Sequence, residues 1–246
     1  MALKNIKTIA FDADDTLWEN EILFRNAEKN YCSVLSEFQS KEKILSSLLL
    51  TELGNMEIYG YGIKAFVLSM IENAFIISDK KITASQTSLI IDIGKKMLKN
   101  KVILMDGVKE TLSALYGQFN LILATKGDLL DQERKLKESG LLNFFSHVEI
   151  MTEKHEENFK RLLNDTETHA DNFLMVGNSV KSDILPVLNL GGHAAYIPYK
   201  NTWALEYSDS SKIENDRFFQ LKNMREIPTL FSGSGKQNKR YTRNVK

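Results

Sequence analysis

Two carboxylates stand one residue apart, Asp12 and Asp14, directly after the apolar run Ile6-Lys7-Thr8-Ile9-Ala10-Phe11, and Asp15, Thr16, Leu17 and Trp18 follow. On a strand continuing through Asp14, side-chain alternation sets both acids on one side. If the chain turns there, both still lie at the strand's carboxyl end, the edge where open α/β sheets bind ligands. Such a pair attracts a divalent cation, or divides nucleophilic and acid/base roles between its members. An isolated D-x-D is more often a solvated loop, so the reading turns on what else reaches that edge.

Five further residues reach it. Thr125 and Lys126 end the apolar run Phe119 to Thr125, Lys154 follows the weaker strand His147 to Met151, and Asn178 and Asp183 follow the run Phe173 to Gly177. A hydroxyl, an ammonium, a nucleophilic carboxylate and metal-binding oxygens together suit a phosphate dianion. Phosphate transfer needs donors and positive charge on its oxygens, an in-line nucleophile and a cation for the transition state. Each residue also has a plainer reading. Thr125 could be a helix-entry hydroxyl, Lys154 a solvated charge, and Asp183 a favourable acid in a first helical turn. His147, His155, His169 and His193 show no metal-ligand spacing.

The elements that must carry these residues fall into two kinds. From about Glu21 to residue 100 only helical periodicity is present, and residues 18–100 are expected to form an all-helical insert. Its stripes are Phe24, Ala27, Tyr31, Val34, Leu35 and Phe38; then Ile44, Leu45, Leu48, Leu49 and Leu53, broken by Gly54-Asn55; then Ile63, Phe66, Val67, Met70, Ile71 and Ala74. A last helix with buried Leu89, Ile90, Ile93 and Met97 opens at a Thr83/Gln86 capping box. Tyr59, Tyr61 and Lys64 mark a break between two helices of this insert and either pack or face a ligand.

Residues 1–17 and 101–230 read as alternating strands and helices. Helices are expected over Val108 to Tyr116, from an Asp128 cap to Ser139, over Glu156 to Leu163, and from Ser182 or Asp183 with Pro186 in the first turn. His193 to Pro198 is the last clear strand. The expectation is a three-layer, Rossmann-like parallel sheet with helices on both faces. Residues 231–246 are polar and basic, the composition of a disordered tail.

The chain has 246 residues, 43% hydrophobic and 26% charged, which is ordinary globular composition. Lys+Arg and Asp+Glu are both 32, so no global field recommends nucleic acid or an anionic membrane as partner. Cys32 is the single cysteine, so no intrachain disulfide forms. No signal-peptide pattern follows Met1, and no apolar run approaches the ~20 residues of a membrane span. The expected location is the cytoplasm.

With these residues in order, the chain resembles the haloacid dehalogenase-like hydrolase superfamily. Asp12-Ala13-Asp14-Asp15-Thr16 is similar to its first signature, Thr125 to its second and Lys154 to its third. Gly177-Asn178-Ser179-Val180-Lys181-Ser182-Asp183 is similar to its fourth, with Asn178 in place of an acid. The resemblance covers nearly the whole chain, since a helical insert between the first two signatures is similar to that family's first cap type. It implies a phosphomonoester hydrolase that acts on a small phosphorylated metabolite through an aspartyl-phosphate. Asp12 would be the nucleophile and Asp14 the acid/base; Thr125 and Lys154, with Lys126 or Lys181 as a further donor, would hold phosphate. Mg²⁺ would take Asp12, the Asp14 backbone carbonyl, Asn178 and Asp183. Alternatives are a phosphomutase, a phosphonate hydrolase using a cap lysine, a dehalogenase, which requires neither the second acid nor a metal, and a non-catalytic binding module with this fold.

Overall fold

The run after Ile6 forms strand β1 (Thr8–Phe11), buried at every residue. The structure is a computed structural model and describes residues 3–200 and 209–232. Further strands are β2 (Asn120–Lys126), β3 (His147–Met151), β4 (Phe173–Gly177), β5 (His193–Tyr196) and β6 (Phe218–Gln220). All pair in parallel in the order β3-β2-β1-β4-β5-β6. Thr8 lies beside both Asn120 and Phe173, so β1 has β2 on one side and β4 on the other.

Burial on both faces fixes this register, because a one-residue slip would exchange the two faces. Ile9, Phe11, Leu121, Leu123, Leu174 and Val176 pack on α5 (Val108–Leu115) and α6 (Leu129–Ser139) through Val108, Leu112, Leu115 and Leu136. The alternate residues Ala10, Ile122, Ala124, Phe173 and Met175 meet Phe159, Leu162 and Leu163 of α7 (Glu156–Asp165) and Val187 of α8 (Leu185–Asn189). The result is the three-layer α/β core with a doubly wound strand order.

Between β1 and α5 the chain forms α1 (Glu21–Val34), α2 (Lys41–Tyr59), α3 (Ile63–Ile77) and α4 (Ala84–Leu98). They share an apolar cluster that includes Tyr31, Leu35, Ile44, Leu48, Phe66, Met70, Ile90 and Met97. Gly94 lets α4 lie against α3, since a Cβ there would meet Val67 Cγ2 at 2.2 Å. The Thr83 capping box forms. Among the described residues no helix is long and apolar enough to cross a membrane.

Four expectations are corrected. Gly54-Asn55 does not break α2, which runs on to Tyr59 and ends at Gly60 with φ of +69°. The Asn55 amide donates to Ser69 Oγ and a Glu72 carboxylate oxygen on α3, which offsets the ~1 kcal/mol a helical glycine costs. Leu89 and Leu53 are exposed, because each helix buries a narrower stripe than its apolar residues suggest. Helical geometry begins at Val180 rather than at Ser182 or Asp183, as a single π turn closed by the Leu185 N–H on Val180 O, with Pro186 in the first turn of α8. Strand β6 follows β5 and is too short to leave a period in the sequence. Phe231 packs on Phe119 at a centroid distance of 4.4 Å, and residues 233–246 of the expected tail lie outside the described residues.

Candidate active site

Strand order reverses between β1 and β4, and the carboxyl ends of open sheets form a crevice at such a point. Asp12 leaves β1 there, nearly buried. Its Oδ1 accepts from Lys154 Nζ at 2.5 Å and its Oδ2 from Thr16 Oγ1 at 3.0 Å. Lys154, three residues past β3 and 2% exposed, also donates to Asp183 Oδ1 at 2.6 Å. Asp183 sits in the π turn after β4, and its Oδ2 accepts the Ser179 N–H at 3.0 Å. Gly177 permits this approach, because a Cβ there would lie 2.2 Å from Asp183 Oδ2.

Two buried carboxylates therefore share one ammonium. Burial raises the Asp12 pKa, the Lys154 charge pulls it back, and Asp183 and Asp14 raise it further, for a net rise. Burial alone would discharge Lys154, but its ion pairs with Asp12 and Asp183 prevail and hold it as a cation.

Asp14 points to other partners. Its Oδ1 accepts from Trp18 Nε1 at 2.7 Å and Lys135 Nζ at 2.6 Å, and its Oδ2 from Gln132 Nε2 at 2.9 Å. The two acids thus have no donor in common. Asp15, at a φ of +60°, turns its carboxylate to the Asn20 and Glu21 amides at the start of α1. It anchors the entry to the helical insert.

The remaining residues divide. Thr125, 1% exposed at the end of β2, lines the same cavity of about 200 Å³ as Asp12, Asp14, Lys154, Asn178 and Asp183. Lys126 also lines it, and its Nζ donates to Ser182 Oγ at 3.0 Å and stands 4.4 Å from the Tyr61 ring centroid, both residues of the same cavity wall. Tyr61 donates to Glu153 Oε1 at 2.8 Å and Lys64 to Asp128 at 3.0 Å, so both join the insert to the sheet's edge. Tyr59 is exposed and donates to Glu72. Phe24, Glu28, Glu52, Asn55 and Phe66 form the insert's wall of the cavity.

Sequence reasoning missed Gln132 and Lys135, buried at spacing i, i+3 on α6. The available signal was a polar face on a helix that must pack against the sheet.

Among the described residues no three His, Cys, Asp or Glu side chains are gathered to hold a metal. The third oxygen here belongs to an amide: Thr16 Oγ1 lies 3.0 Å from Asp12 Oδ2 and 3.4 Å from Asn178 Oδ1. Hard oxygen donors beside two carboxylates that share a single positive charge fit a small divalent cation, which would supply the missing charge.

A model of the haloacid dehalogenase-like hydrolases matches residues 6–191. No curated protein matches the chain. A haloacid dehalogenase-like family hydrolase from Xanthomonas campestris is 34% identical, with 92% of this chain and 90% of that one covered and a TM-score of 0.82. The magnesium-bound HAD hydrolase YfnB from Bacillus subtilis is 18% identical, covering 93% of this chain and 100% of its own, at a TM-score of 0.64. A 2-haloacid dehalogenase from Pseudomonas syringae pv. Tomato is 19% identical over 92% of this chain and 97% of its own, at 0.61.

Proposed function

The chain belongs to the haloacid dehalogenase-like hydrolases, and within that family we propose that it is a Mg²⁺-dependent phosphomonoester hydrolase acting on a small phosphorylated metabolite. The observation that carries this reading is Asp14, a second carboxylate on the cavity wall, held by three donors of its own. A dehalogenase has no need of that acid. A phosphatase needs it twice, to protonate the leaving oxygen and to accept a proton from water.

In the proposed reaction an Asp12 oxygen attacks phosphorus and the ester P–O bond breaks. The leaving oxygen takes a proton from Asp14. Water then attacks the aspartyl-phosphate, Asp14 recovers a proton, and phosphate departs with Asp12 restored. Lys154 and Thr125 donate to the phosphoryl oxygens and limit charge build-up. Lys126, whose Nζ meets Ser182 and Tyr61 on the same cavity wall, is a further donor for phosphate. Asp12, the Asp14 carbonyl, Asn178 and Asp183 would hold Mg²⁺. The cation supplies electrostatic neutralisation of the transferring group, and the magnesium in the Bacillus subtilis relative supports its choice.

The helical insert between the first two signatures serves as the cap and presents Phe24, Phe66 and Asn55 to the leaving group. Purified protein is expected to hydrolyse para-nitrophenyl phosphate with Mg²⁺, to lose activity in EDTA, and to be inactive as Asp12→Asn. Full turnover without divalent cation would refute the reading.

A further inference from the structure

An ionised carboxylate offers about four lone-pair positions. At Asp14 three are taken: Oδ1 by Trp18 Nε1 and Lys135 Nζ, Oδ2 by Gln132 Nε2. One position on Oδ2 stays open, and Asp14 lines the cavity. We infer that Gln132 and Lys135 are positioning residues that fix the Asp14 carboxylate so that Oδ2 is the atom exchanging the proton, first with the leaving-group oxygen and then with the attacking water.

The supporting shell is itself held in place. Gln132 is 2% exposed, and its Nε2 also donates to the Lys126 carbonyl at 2.8 Å. The turn into α6 leaves room for that amide: at Gly127, where φ is +135°, a Cβ would lie 2.8 Å from Gln132 Nε2. Lys135, 5% exposed, reaches Asn20 Oδ1 at 3.3 Å as well, so its ammonium spans from α6 to the entry of the insert. A buried ammonium is costly to desolvate, and here its shortest contact is to the proposed acid/base. Two donors from one helix face and one from the opening motif restrain both carboxylate oxygens, which a single bond would leave free to rotate.

The inference rests on the phosphatase reading, and its test separates the two. Lys135→Met and Gln132→Met keep the side-chain length and remove the donor. Each is assayed with Mg²⁺ on phenyl phosphate, whose leaving oxygen needs a proton, and on para-nitrophenyl phosphate, whose leaving group departs as the anion. The ratio kcat/KM reports the phosphoryl transfer to Asp12.

Misplacing the acid is expected to lower kcat/KM for phenyl phosphate by about 10- to 100-fold, and for the nitrophenyl ester by less than about threefold. A merely structural loss would lower both alike. Equal falls for the two esters in both variants, or no fall, would overturn the inference alone. A wild type inert toward both esters would overturn the phosphatase reading and this inference with it.

Discussion

Replacing Lys154 by Met leaves two buried carboxylates facing each other without their shared cation. At 2.5 and 2.6 Å, each contact represents a gross attraction of about 6–7 kcal/mol at an effective dielectric of about 20. Desolvating the ammonium and two carboxylates consumes most of that sum, and removal of one partner from a buried pair leaves a net loss of about 3–5 kcal/mol. For a chain of this size the loss corresponds to roughly 6–20 °C in melting temperature.

The pH dependence carries a definite sign. Without Lys154 the folded-state pKa of Asp12 rises further above its unfolded value. Stability from its bound proton is then present at low pH and is lost as pH rises through the folded value. The deficit is therefore expected to be small near pH 4 and full at about pH 8. Mg²⁺ held by the same oxygens would restore part of it, since a ligand that binds only the folded chain stabilises by mass action. Thermal melts of wild type and variant at both pH values, with EDTA and with Mg²⁺, test each element. A deficit below about 1 kcal/mol at the higher pH, or one independent of pH, would refute the account of Lys154 as the shared counter-charge.

Two further outcomes follow from charges in the same cavity. Asn178→Asp puts a full negative charge where an amide oxygen now lies, and is expected to lower the Mg²⁺ concentration for half-maximal activity about tenfold, worth ~1.4 kcal/mol; an unchanged or higher requirement would refute the metal assignment. Glu52 is pushed up to about 8 by burial, with Glu28 and Glu21 adding, from an ordinary value of 4.5. Its proton stabilises the fold below that ordinary value, and the contribution is lost as pH rises through about 8. Glu52→Gln is therefore expected to raise stability by roughly 1–3 kcal/mol above that pH and to change little near pH 5; equal melting shifts at both pH values would refute it.

What the sequence revealed, and what it did not, follows the range of the interactions. The apolar runs of β1, β2 and β4 and the caps at Asp128 and Thr83 are local, so their residues carry the signal. Asp12, Lys154 and Asp183 are far apart in the chain but stand at strand ends that a parallel sheet must bring to one edge. Their convergence was legible once the strands were. Lys126 ends β2 as expected, yet its direction depends on Tyr61 and Ser182, which no local pattern couples to it. The continuity of α2 through Gly54 depends likewise on Asn55 reaching α3. Gln132 and Lys135 left only a polar helix face as a signal, because only the fold sets α6 against the opening motif.

That last contact gives the two neighbouring acids different tasks. Asp12 and Asp14 are separated by one residue, and a shared environment would make them a repelling pair that divides protons between equivalent groups. The structure separates them by their donors. Asp12 shares Lys154 with Asp183 and keeps Oδ2 on the Thr16 hydroxyl, which in turn reaches Asn178 Oδ1, a setting suited to a nucleophile next to a cation. Asp14 faces α6, where Gln132 and Lys135, with Trp18 from the opening motif, restrain its orientation. Distinct environments for two carboxylates are what allow one to attack and the other to carry a proton at the same pH. In this chain the separation accompanies a tight turn, in which the Ala13 carbonyl accepts from Thr16 and Leu17 and Asp15 has a φ of +60°, with Asp14 set on Gln132 and Lys135 of α6.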